Sequence, residues 1–146
     1  MIQTDVAMQL KKTHQRIIGI MQSKIDEYEL TFGLLHLMML IQKKPDANQK
    51  DLAKEMRFTE GAMSGSVKRL LNLNMLEQVP LESDMRYNRL LITPKGKCIV
   101  EDCRHHLIKK YEDIFNEFGE DELIQLNNLL LKVNKNLDNM KSAKNL

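Results

Sequence analysis

Two short helical patterns within residues 48–71 are followed at once by two strand-like runs, 76–79 and 89–92, and few small folds accept that order. Asn48 with Asp51 three residues on has the form of a capping box and opens the first helix, which turns Leu52, Ala53 and Met56 inward. A break at Arg57 and Phe58 follows, and Thr59 caps the second helix. Its inner side carries Met63, Val67, Leu70 and Leu71, and its outer side Glu60, Gly61, Ser64, Gly65 and Lys68. The polar stretch 82–86 separates the two runs, as in a β-hairpin with a long loop. The order is that of a helix-turn-helix followed by a wing, in which small Ala53 lets the second helix cross closely.

Helices flank this segment on both sides. Val6, Leu10, Ile17, Met21, Ile25 and Tyr28 recur at helical spacing from Asp5 onward, and Thr31 caps a second helix, from Phe32 to about Lys43, that is apolar almost all round. Pro45 closes it. After the hairpin Thr93 caps, Pro94 takes the first helical position, and the pattern predicts a long helix to about Phe118 that ends at Gly119. A last helix runs from Asp121 to about Met140. Its Leu123, Leu126, Leu130, Val133, Leu137 and Met140 step by threes and fours as an a/d seam. The expected fold is mainly α with a small β-hairpin wing, in one domain: a reading head at 31–97 flanked by dimerisation helices at 5–30 and 98–146. Long terminal helices carry more apolar stripe than one small core covers, so a homodimer is expected.

Composition agrees with a folded, mostly helical chain. Hydrophobic residues make up 42 % and charged residues 29 % of the 146 residues, with no Trp, four Phe and three Tyr. No apolar run reaches the ~18–20 residues of a membrane span, and the longest, 34–41, is interrupted by His36. The start of the chain has no basic segment leading into an apolar one, so the expected location is the cytoplasm, away from membranes. Net charge is only +2, yet residues 48–97 hold nine Lys and Arg against six Asp and Glu, a balance of +3. The remainder holds thirteen against fourteen, a balance of −1. The positive excess therefore sits in the segment with the helix-turn-helix order, where small Gly61, Ala62, Ser64 and Gly65 permit close approach to base edges, Lys68 and Arg69 reach flanking phosphates, and Arg86 and Arg89 lie on the hairpin.

At these residues the chain resembles the MarR family of winged helix-turn-helix regulators. Asp84, Arg86, Leu90, Ile92, Thr93 and Gly96 match its wing signature, D-x-R-x-x-x-[VL]-x-[LI]-T-x-x-G, and the run from Asn48 to Ala53 is similar to the family's start of the first reading-head helix. The resemblance implies a homodimer that binds pseudo-palindromic double-stranded DNA, usually as a repressor, and often releases it on meeting a small-molecule effector, an oxidant or a metal. Carried over by position, it puts Thr59, Ala62, Ser64, Gly65 and Lys68 on the recognition helix, Gln49 near a phosphate, Arg86 at the wing tip and Asp84 bracing the hairpin. Three positions depart from the pattern. Gly65 stands where many members have a long basic residue, Gln78 where Arg is frequent, and Asn74 where a glycine usually ends the recognition helix. Asn tolerates the left-handed conformation needed there.

Sensing and catalysis find fewer signals. Cys98 and Cys103 lie about 500° apart around one helix at ~100° per residue, on different faces, and no H-x-x-x-H or C-x-x-C pair is present. His14 and His36 are the candidate effector-binding residues, between the dimerisation helices and the head. No glycine-rich phosphate loop, nucleophile elbow or paired metal motif occurs, so no cofactor and no enzymatic activity are expected. The rivals to a regulator released by an effector are a protein-interaction dimer with a degenerate head and a redox- or metal-responsive regulator.

Overall fold

The computed structural model describes residues 1–81 and 84–144, with backbone alone described at 81, 84–88, 143 and 144. Eight elements follow in order: α1 (Ile2–Asp26), α2 (Phe32–Lys43), α3 (Gln49–Met56), α4 (Glu60–Asn72), β1 (Leu76–Leu81), β2 (Asp84–Ile92), α5 (Pro94–Ile114) and α6 (Glu120–Lys144). They divide into two compact units, Met1–Ile108 and Lys109–Leu146.

In the first unit the helix starts are set by local chemistry. The Thr31 hydroxyl accepts from the Leu34 N–H at 3.1 Å, and the Thr59 hydroxyl accepts from Ala62 N–H at 3.0 Å. Asn48 and Asp51 form both halves of a capping box, at 2.8 and 3.3 Å. Between these caps the apolar faces converge on α2, whose Leu34, Leu35, Leu37, Met38, Leu40 and Ile41 are all buried. Around it lie Met21 and Ile25 of α1, Leu52 and Ala53 of α3, Met63, Val67 and Leu70 of α4, Leu76 of β1, Leu90 and Ile92 of β2, and Ile99, Val100 and Cys103 of α5. Each fully buried Leu or Met contributes about 1.5–3 kcal/mol relative to exposure. Arg57, left-handed at φ 57°, ends α3 and turns the chain so that Phe58 N–H reaches Ala53 O at 2.9 Å.

The hairpin is antiparallel, with Leu76 opposite Ile92, Gln78 opposite Leu90 and Val79 opposite Arg89, and a register shift between Pro80 and Leu81. Its strands are longer than the sequence predicts. β2 begins at Asp84, which pairs with Leu81, so most of the expected 82–86 loop is strand. A ladder between two strands is made by backbone groups, so polar side chains do not by themselves stop it.

The second unit contains the end of α5, a turn and α6. The expected end of α5 at Gly119 is corrected: the helix stops at Ile114, and Glu117, at φ 69°, makes the left-handed turn. Gly119 belongs to the start of α6. Its carbonyl accepts from Leu123 N–H at 3.1 Å, and its N–H donates to Glu122 Oε1 at 3.0 Å. Along α6, Leu126, Leu129, Leu131, Val133, Leu137 and Met140 are all exposed.

Candidate nucleic-acid interface

The outward face of α4 is built from residues with little side chain. Gly61, Ala62, Ser64, Gly65, Lys68 and Arg69 are exposed, while Met63, Val67 and Leu70 on the opposite side hold the helix in the core. Gly61, Gly65 and Lys68 follow one another at four and three residues, on one stripe. Apart from the adjacent residues and backbone of its own helix, a Cβ added at Gly61 or Gly65 would meet nothing within 4 Å. Glycine inside a helix costs about 0.5–1 kcal/mol relative to alanine, and nothing inside the chain requires it at either position.

Gln49, first residue of α3, reaches this face and its Nε2 donates to Ser64 Oγ at 3.1 Å. Thr59 is exposed, and its hydroxyl oxygen serves as the cap of α4. Arg89, expected as a DNA contact, is engaged within the chain: its Nε donates to Pro45 O at 3.1 Å and its Nη2 lies 3.4 Å from Asp46 Oδ1. It ties the wing to the connection between α2 and α3. The side chains of Asp84 and Arg86 lie outside the described residues. Asn74 adopts the left-handed conformation expected of it, at φ 58°.

Of the two candidate effector residues, His36 lines a cleft of about 560 Å³ together with Met39, Leu40, Lys43, Glu55 and Arg104. His14 does not line it and is exposed on α1. Lys44 and Glu55 pair at 2.5 Å between the end of α2 and α3.

A polar group that sequence spacing did not single out joins the end of α1 to α5. Lys24 Nζ lies 2.8 Å from Asp102 Oδ2 and 3.1 Å from Glu27 Oε2, and the Tyr28 hydroxyl donates to Asp102. The hydrogen bonds from Lys24 and then Tyr28 hold the Asp102 carboxyl below the usual carboxylate range. The same bond to Asp102, and then the one to Glu27, raises Lys24, while Tyr28 is raised by Asp102 first and burial second. Burial also pushes the Cys103 thiol up, which keeps it protonated and a poor nucleophile. Among the described residues no three His, Cys, Asp or Glu side chains gather as a metal site requires, and no helix is long and apolar enough to cross a membrane.

A helical core that presents α4 outward beside a two-stranded hairpin is a winged helix-turn-helix head. Residues 30–87 match the model of the MarR family, and the chain is 33 % identical over 115 residues to the HTH-type transcriptional regulator BilQ of Clostridium symbiosum, covering 78 % of this chain and 79 % of that protein. The chain belongs to the MarR family of transcriptional regulators. In fold it is similar to Staphylococcus aureus MarR in complex with salicylate and kanamycin, with a TM-score of 0.85 at 13 % identity over 94 % of this chain and 93 % of that one. It is also similar to the transcriptional repressor CouR bound to a 23-mer DNA duplex, with a TM-score of 0.74 at 19 % identity over 86 % and 89 % of the two chains.

Proposed function

We propose that the chain is a dimeric, non-catalytic repressor that reads a near-palindromic duplex with α4, steadies it with the wing, and lets go when a small molecule occupies the cleft lined by His36. The observation that carries this reading is the face of α4: two exposed glycines that no packing within the chain explains, followed by Lys68 and Arg69. A narrow helix face suits the major groove, and the two cations suit the phosphates beside it. CouR, with the same fold, was solved on a duplex.

Arg86 is the proposed wing contact and Asp84 its local brace. Pairing of two copies rests on the exposed apolar residues of α6 and on Ile2, Val6, Met8 and Leu10 of α1, which a second copy would cover. Two heads then present +6 formal charges, twice the +3 of residues 48–97. The cleft is within the ~300–1,000 Å³ of small-molecule sites, and its lining sets apolar Met39 and Leu40 beside charged Lys43, Glu55 and Arg104, which suits an amphipathic ligand.

Titration of duplexes selected from a genomic pool tests the reading. The expected result is specific binding by a dimer that weakens steeply with salt, with a shallower slope, by about one, for Arg86→Ala. Absence of binding to any duplex at low salt overturns it.

A further inference from the structure

We propose that Lys95, with Thr93, is a positioning residue for DNA reading: from the start of α5 it holds the C-terminal end of α4 at the attitude the duplex requires. The inference rests on α4 being the helix that reads DNA.

A helix leaves its last carbonyls without partners inside the helix. Just beyond the end of α4, three successive carbonyls find theirs on the segment that opens α5. Lys95 Nζ donates to Leu73 O at 2.9 Å, Thr93 Oγ1 donates to Asn74 O at 2.7 Å, and the Thr93 backbone N–H donates to Met75 O at 3.2 Å. The Thr93 hydroxyl also accepts from Gly96 N–H at 3.0 Å, so one oxygen both holds the turn that follows α4 and caps the beginning of α5.

Gly96 makes this approach possible. A Cβ there would collide with the Met75 carbonyl oxygen and come within 2.8 Å of Ile92 Cγ2. Asn74, left-handed at φ 58°, turns the chain between α4 and β1 at this junction. Packing accounts for Gly96 and the buried Met75, but not for Lys95, which is exposed and whose ammonium has water as an alternative partner. Its position on a carbonyl at the negative end of α4 fixes that end through a charge-assisted bond. Gly61, Ser64, Gly65 and Lys68 ride on the same helix, so a shift at its C-terminal end displaces all of them together.

The test compares Lys95→Met and Lys95→Arg with the parent protein on a selected duplex and on a random one, each at several salt concentrations. Lys95→Met is expected to lose about fivefold on the selected duplex with binding to the random duplex and the salt slope unchanged, and Lys95→Arg to restore most of the loss. A slope lower by about one, with both duplexes weakened alike, would make Lys95 a phosphate contact and overturn the proposal. Unchanged affinity on both duplexes would reduce it to a helix cap. If the parent protein itself does not distinguish the two duplexes, the reading of α4 fails and the inference with it.

Discussion

Gln49 and Ser64, fifteen residues apart, share a hydrogen bond of 3.1 Å on the solvent side of the crossing between α3 and α4. Leu52 and Ala53 of α3 and Met63 and Val67 of α4 are buried in the same core, so the polar pair is not what keeps the helices together. It holds two side chains in place on the face proposed to meet DNA. Gln49→Ala is expected to cost about 0.5 kcal/mol of stability, as an exposed bond does, and to weaken duplex binding by more than that. Melting and titration of the same variant compare the two, and an unchanged Kd removes Gln49 from the interface.

Gly61→Ala and Gly65→Ala should move stability and binding in opposite directions. Each adds a methyl group into open space and removes the helix penalty of glycine, so each should stabilise by about 0.5–1 kcal/mol. Each also thickens the face that approaches the duplex. A variant that melts higher and binds as tightly as its parent would place the glycines outside the contact.

Asp46→Ala separates anchoring from bulk charge. Removing an acid makes the head more positive, and general attraction to DNA would then tighten binding. Loss of Asp46 leaves Arg89 only its bond to the Pro45 carbonyl and loosens the wing from the connection after α2, and binding is expected to weaken. Arg89→Ala should weaken it as well, and the double variant should fall short of the sum of the two in a cycle. Tighter binding by Asp46→Ala would rule out the anchor.

The junction of Lys24, Tyr28 and Asp102 gives stability a pH window. Asp102 is depressed in the fold, so below about pH 4 the unfolded chain takes up the proton first and the contribution is lost as pH falls through the folded value. Lys24 and Tyr28 are both raised, so above about pH 10 the unfolded chain gives up protons first and the contribution is lost again. Asp102→Asn should melt below the parent protein at pH 7, and the gap should narrow toward pH 3. A gap that is constant with pH would show that charge at Asp102 plays no part.

What was legible in the chain was what short-range chemistry decides. Thr31, Asn48, Thr59 and Thr93 cap the helices they precede, and Asn74 takes the left-handed turn, because each depends on neighbours a few residues away. Gly119 departs from its sequence expectation for a related reason. A glycine after a helical pattern fits a helix end, but Glu122 three residues on fits a helix start, and the start won. Contacts between distant segments left no such trace. Arg89 meets Pro45 across 44 residues and Tyr28 meets Asp102 across 74, and no periodicity marks either pair. Gly96 was visible as part of a signature, while its reason, the carbonyl of Met75, lies twenty-one residues back along the chain.

The tie between Arg89 and the residues just before α3 turns an ordinary surface connection into a ruler. Loops usually absorb insertions, since little depends on their length. The connection between Lys43 and Gln49 sets two distances at once: how far α3 stands from α2, and where β2 is held beside it. Added residues there would shift the wing without touching a strand. In descendants of this chain, length should therefore be conserved at that connection more strictly than the identity of the residues that fill it.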